Sequence, residues 1–239
     1  MPVVGLIVPP AAGEVPPEPP AMYPSGLRFV ATGLALPHLT PEGYAAVIGG
    51  VEGAARRLAA QGAAAVALMG TSLSFFRGAA FNAELTRRIV AATGLPATTM
   101  STAVVQALRV LGARRLAIGT AYSDTVNRQL AGFLEESGFE TAGIVSLGLE
   151  DVAAIHAVTP DRLLRLGEDA AAAVPGAEAL LISCGGLRTL ELTPVLEARL
   201  GLPVVSSATA GAWAAARLVG HSGRVAGFGR LLEGSPPAG

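Results

Sequence analysis

Short apolar runs closed by glycine, proline or a hydroxyl residue alternate along this chain with longer stretches whose apolar positions recur at helical spacing. The first run is Val3–Val8. Pro9-Pro10-Ala11-Ala12-Gly13 ends it in a rigid loop, which Pro16-Pro17-Glu18-Pro19-Pro20 extends because proline fixes φ and removes a donor. After a short apolar stretch over 29–36, Thr40-Pro41-Glu42 reads as an N-cap, a first-turn proline and an early acid. Val47, Val51, Ala54 and Leu58 then predict one amphipathic helix ending near Gly62.

Residues 64–69 predict a strand buried on both faces, stopping at Gly70-Thr71-Ser72. The same reasoning gives a helix over 79–92, a short strand over 95–99, and a helix from Ser101 or Thr102 through Leu111. A strand over 115–119, a helix over 124–136 and a strand over 139–147 come next, and 149–158 is of mixed character. Thr159-Pro160-Asp161 caps a helix through Ala173, and 177–183 is the strand that leads to Ser183-Cys184-Gly185-Gly186. A helix over 194–200, a strand over 202–206, a helix over 210–219 and a loop-like tail complete the chain.

The two parts of this pattern repeat. Residues 94–103, GLPATTMSTA, recur as 201–210, GLPVVSSATA; Thr40-Pro41-Glu42 recurs as Thr159-Pro160-Asp161; the strand ending at Gly70 matches the strand ending at Cys184. The expectation is an α/β fold of two pseudo-symmetric three-layer α/β/α domains, with mainly parallel sheets around a central interdomain cleft. Residues 1–113, completed by 208–239, would form the first domain, and 114–207 the second. Open parallel sheets hold ligands at the carboxyl ends of their strands, so both strand ends should converge on the cleft.

Composition narrows the class. A chain of 239 residues with 51% hydrophobic and 15% charged residues buries a core and is not disordered. A formal net charge of -1, from 17 basic and 18 acidic residues, gives no basic face for nucleic acid. The N-terminus lacks a basic region and meets Pro9-Pro10 too early for a signal peptide, and charges or prolines interrupt every candidate membrane span. One cysteine suits a reducing compartment, and the expectation is a cytoplasmic, monomeric protein without membrane or nucleic-acid partners.

Candidate chemistry centres on Cys184. A lone cysteine is often a small buried hydrophobe, but here two glycines follow it and allow a ligand to approach the backbone. Thr71 and Ser72 either cap a helix or, with Tyr122 and Gly185, form a nest for a carboxylate or enediolate. The Pro9–Gly13 loop is either surface linker or pocket wall. His38, His156 and His221 lack metal-ligand spacing, His156 being the one retained as a pocket candidate. No lysine is present to form a Schiff base, and no phosphate-binding or dinucleotide fingerprint occurs.

The segments Val8-Pro9-Pro10-Ala11-Ala12-Gly13, Thr40-Pro41-Glu42-Gly43-Tyr44, Leu68-Met69-Gly70-Thr71-Ser72-Leu73-Ser74-Phe75, Met100-Ser101-Thr102-Ala103, Thr120-Ala121-Tyr122 and Ser183-Cys184-Gly185-Gly186-Leu187 together resemble the arylmalonate decarboxylase family, within the aspartate/glutamate racemase superfamily. The resemblance covers nearly the whole chain. It implies decarboxylation of an α-aryl-α-methylmalonate, or a related dicarboxylate, to an α-arylpropionate of R type, with no metal, biotin, thiamine or pyridoxal cofactor.

By the same resemblance, Thr71, Ser72, Tyr122 and Gly185 hold the carboxylate that stays, while Leu36, Leu39, Leu73, Val152 and Ile155 surround the one that leaves. Cys184 protonates the enediolate, and Pro9, Pro10, Gly13 and Gly70 border an aryl slot. Racemases of the superfamily use two cysteines; Gly70 stands in place of the first. Two other readings stay open: a racemase or isomerase of a small acid, and a carboxylate-binding protein with an inert cysteine.

Overall fold

A computed structural model describes residues 1–234; the last five positions of the tail expected to be loop-like lie outside the described residues. The first half runs β1 (Val3–Val8), α1 (Glu18–Met22), β2 (Arg28–Gly33), α2 (Pro41–Val47), α3 (Val51–Ala60), β3 (Ala65–Leu68), α4 (Thr71–Phe75), α5 (Gly78–Thr93), β4 (Ala97–Thr99) and α6 (Met100–Val110). The second runs β5 (Arg115–Thr120), α7 (Asp124–Glu136), β6 (Glu140–Ser146), α8 (Val152–His156), α9 (Pro160–Ala173), β7 (Ala179–Ser183), α10 (Leu192–Leu200), β8 (Val204–Ser206), α11 (Ser207–Leu218) and α12 (Arg230–Glu233).

Two four-stranded parallel sheets result, ordered β2-β1-β3-β4 and β6-β5-β7-β8. Every residue of β3 and β7 is buried, as strands covered by helices on both faces require. The sheets are therefore related two-fold, in the α/β/α architecture anticipated from the repeat. Among the described residues no helix is long and apolar enough to cross a membrane.

Capping chemistry explains why the repeat folds alike. The Thr40 and Thr159 side chains accept from the N–H groups of Gly43 and Arg162, and proline occupies the first helical position after each. Thr99 and Ser206 do the same for Thr102 and Thr209 at the starts of α6 and α11. Gly94 and Gly201 end α5 and α10 in the left-handed conformation, φ 71° and 70°, which a side chain would strain.

Register then fixes the equivalence of the strand ends. Leu68 pairs with Thr99, and Ile182 pairs with Ser206; because β4 and β8 carry the same repeated segment, Leu68 corresponds to Ile182. Two residues further on, Gly70 corresponds to Cys184. By the pairings of Ile7 with Leu68 and Gly119 with Ile182, Pro10 likewise corresponds to Tyr122.

Several boundaries depart from the hydrophobic pattern. The helix expected from Thr40 to Gly62 is broken into α2, a 3-10 turn over Ile48–Gly50 and α3, because Gly49-Gly50 weakens its middle. Met100 and Ser207 begin α6 and α11 earlier than expected, since Thr99 and Ser206 supply the caps. In the proline-rich loop, α1 forms because its prolines occupy the first turn, where no intrahelical donor is lost. The C-terminal tail also contains a turn of helix, α12, anchored where the Arg230 N–H donates to Glu197 Oε2 at 2.9 Å.

Candidate active site

A cavity of about 610 Å³ opens where the carboxyl ends of both sheets meet. Cys184, Thr71, Ser72, Tyr122, Gly185, Leu36, Leu39, Leu73, Val152, Ile155, Pro9, Pro10 and Gly70 all line it. Gly13 does not; it packs on the end of β2, where an added Cβ would stand 2.7 Å from the Gly33 nitrogen.

Its apolar wall comes from both halves, Leu36 and Leu39 from a loop and Leu73 from α4 in the first, Val152 and Ile155 from α8 in the second. The Leu39 N–H donates to the Glu150 carbonyl at 2.9 Å, and an antiparallel bridge joins His38 to Asp151. Asp151 caps α8, which had been expected only as a segment of mixed character, by accepting from the Ala154 N–H at 2.8 Å. Leu36, Leu39, Leu73 and Ile155 are buried there, with Val152 partly so.

The donor array rests on a shelf of buried side chains. Thr71 and Ser72 open α4, and the Thr71 hydroxyl donates to Met100 Sδ at 2.9 Å. Ser101 Oγ donates to the Thr71 carbonyl at 2.9 Å, and Ser74 Oγ lies 2.7 Å from Ser101 Oγ. These contacts fasten the first turn of α4 to the first turn of α6. Beneath Gly185, a Cβ would come within 2.8 Å of Met100 Sδ, so the missing side chain lets the backbone approach the same methionine.

Tyr122 is fixed from behind. Its carbonyl accepts from Ser146 Oγ and from Asn127 Nδ2, and Asn127 Oδ1 accepts in turn from Thr120 Oγ1 at 2.7 Å. Phe75 meets the tyrosine ring edge-on, and the phenol oxygen lies 3.3 Å from Ser183 Oγ. Burial, then the neighbouring Cys184, holds this hydroxyl well above the ordinary phenol range. It is a hydrogen-bond donor at any physiological pH.

Cys184 is 4% exposed. Burial pushes its thiol up to about 11, against smaller opposing pulls from the Gly186 N–H, the Tyr122 hydroxyl and the Leu187 N–H. This group carries a proton at neutral pH and is a poor thiolate nucleophile. Because the folded pKa exceeds the ordinary value of about 8.5, the proton's contribution to stability is complete below the unfolded pKa and is lost as pH rises through the folded one. Ultraviolet titration of wild type against Cys184→Ala is expected to show the thiolate near pH 11. About 3 kcal/mol of stability should disappear over the same alkaline interval in the wild type alone.

Sequence reasoning passed over Tyr44, which lies in one of the quoted segments and, without lining the cavity itself, comes close to Ser72 and Cys184. Its side chain is fully buried and its hydroxyl has no hydrogen-bond partner among the described residues. The approach to Ser72 falls short of hydrogen-bond geometry, yet Ser72 still eases the upward push that burial gives this phenol, and Cys184 is within electrostatic reach. The only available signal was a tyrosine on a short helix whose one other buried residue is Gly43. His156, the retained histidine, does line the cavity, its ring lying against Gly186. Among the described residues no three metal-ligating side chains cluster.

A family profile described as arylmalonate decarboxylase matches residues 4–232. Arylmalonate decarboxylase of Bordetella bronchiseptica is 54% identical over 235 residues, covering 98% of each sequence. The chain belongs to the arylmalonate decarboxylase family. A liganded double mutant of arylmalonate decarboxylase superposes with a TM-score of 0.95 at 52% identity, covering 98% of this chain and 99% of that one. Outside the arylmalonate decarboxylases, similarity extends to maleate isomerase of Nocardia farcinica, 30% identical over 132 residues, which are 55% of this chain and 52% of the isomerase. Family membership makes the protein an enzyme, a carboxy-lyase with a single cysteine in its site.

Proposed function

We propose that this enzyme decarboxylates α-aryl-α-methylmalonates without a cofactor, delivering the proton of Cys184 to one face of an enediolate. The observation that carries the reading is a buried, protonated thiol in the same cavity as the Thr71, Ser72 and Tyr122 donors, with Gly70 at the strand end equivalent to its own. One carboxylate sits against Thr71, Ser72, Tyr122 and the Gly185 N–H. The other occupies the apolar wall of Leu36, Leu39, Leu73, Val152 and Ile155, where loss of hydration favours departure as neutral CO₂.

Breaking the C–C bond leaves its electron pair on the enediolate, whose charge the preorganised donors stabilise. The Cys184 S–H bond then breaks, its proton joins Cα, and solvent restores the thiol. The aryl group lies beside Pro9, Pro10 and Gly70, and the product has the R hand. The acting unit is a monomer, divided into residues 1–113 with 208–239 and residues 114–207.

An isomerase would need a second thiol, which Gly70 does not supply. Gly70→Cys places one on the opposite face, at the cost of a small shift, since its Cβ would lie 3.1 Å from Leu73 Cβ and 3.2 Å from Pro9 Cγ. Chiral chromatography should find that this variant yields markedly less enantiopure product. An unchanged product would remove Gly70 from the account.

Tyr44 is assigned as a positioning residue for Ser72, which its buried hydroxyl approaches while having no hydrogen-bond partner among the described residues. Tyr44→Phe is expected to lower kcat/KM about tenfold while raising thermal stability by about 1 kcal/mol, since an unpaired polar group leaves the core. Steady-state kinetics with calorimetric melting checks both signs. The function itself is tested by CO₂ release from phenylmalonate and α-methyl-α-phenylmalonate. Tight binding without CO₂ would make the protein a carboxylate-binding protein instead.

A further inference from the structure

The decarboxylation uses Cys184 and its donors, and leaves another stretch of the cavity wall without a task. Glu18, at the start of α1, is 5% exposed and lines the cavity. Its carboxyl has no side-chain hydrogen bond and no ion pair among the described residues. Burial raises its pKa, opposed by its own backbone N–H and by the guanidinium of Arg188. Arg188 leaves the turn that follows Cys184, is exposed, lines the same cavity and likewise forms no ion pair among the described residues.

Acid and guanidinium thus line one cavity within electrostatic reach of each other and form no ion pair among the described residues. A buried carboxyl is costly unless it is hydrogen-bonded, so this one is built for a donor. An anionic substituent would meet the carboxyl, and an ammonium would meet the guanidinium. A hydroxyl satisfies both, donating its hydrogen to the carboxyl and accepting from an arginine N–H. Val15, Pro16 and Pro17 supply apolar wall beside the pair, suited to the ring that bears the hydroxyl. Asp151 on the same cavity is already engaged in capping α8.

We propose that Glu18 and Arg188 form a subsite that reads a ring hydroxyl, making hydroxyaryl malonates the preferred substrate class. The malonate half of this statement rests on the decarboxylase reading; recognition of the ring hydroxyl does not.

The test therefore has a binding arm and a turnover arm. Calorimetry compares 3- and 4-hydroxyphenylacetate with phenylacetate, none of which has a carboxylate to lose, on the wild type, Arg188→Leu and Glu18→Leu. The better hydroxy acid should bind the wild type at least about tenfold tighter than phenylacetate. In both variants that ratio should collapse towards one. The second arm measures kcat/KM for the corresponding malonates and should give the same ratios.

A wild-type ratio near one, or a ratio that survives both substitutions, overturns the subsite. Hydroxyl preference in binding with no CO₂ from any malonate retains the subsite and overturns the decarboxylase reading. Rapid CO₂ release with no hydroxyl preference does the reverse.

Discussion

Cys184→Ser is expected to reduce decarboxylation by about 10²–10⁴-fold, the range that a positioned proton donor contributes. The fold would survive, because serine is close in volume and Cys184 forms no disulfide. Serine keeps an O–H in place, but its proton is far harder to release to a carbanion-like carbon than that of a thiol at about 11. Loss of rate should therefore come with nearly unchanged affinity for an arylacetate, which uses the carboxylate donors and not the thiol. Single-turnover CO₂ release together with a binding isotherm separates the two. A variant that bound normally and retained wild-type rate would show that the proton comes from elsewhere.

The second large effect belongs to Tyr122→Phe. Removing one preorganised oxyanion donor costs about 10²–10³ in kcat. Ser146 and Asn127 anchor the Tyr122 backbone through its carbonyl and Phe75 meets its ring edge-on, so the phenylalanine ring would keep the same place and only the hydroxyl would be lost. This loss should differ in kind from that of Cys184→Ser. The enediolate becomes harder to form, while the thiol that protonates it is untouched, so the smaller amount of product keeps its single hand. Chiral analysis of the residual activity is the check, and a racemic residue would mean that Tyr122 also steers protonation.

Much of this fold was legible because it is written in local signals. The Thr40 and Thr159 caps, the left-handed helix ends at Gly94 and Gly201, and the repeated segments that became β4 and β8 all act over a few residues. From those alone the pairing of Gly70 with Cys184 could be anticipated, and strand register places them as equivalents. Where tertiary approach decides, the sequence was silent. Tyr44 becomes interesting only when its hydroxyl is buried near Ser72 without a partner among the described residues, and Glu18 only when α1 brings it to the cavity that Arg188 also lines. The proline run concealed α1 itself, and no periodicity could show the break at Gly49-Gly50.

The raised thiol and the missing second thiol belong to one physical argument. A cysteine activated as a nucleophile would sit in an electropositive setting with a depressed pKa, whereas burial at the end of β7 does the opposite to Cys184. Such a group can give a proton once the substrate has lost CO₂, and the equivalent position on the facing strand end has nothing to give. One-sided protonation follows from those two residues.

The most direct measurement is the enantiomeric composition of the 2-phenylpropionate that wild-type enzyme makes from α-methyl-α-phenylmalonate in metal-free buffer. Delivery from Cys184 to a single face gives essentially one enantiomer. A racemic acid formed at enzymatic rate would contradict it, because the enediolate would then be taking its proton from both faces.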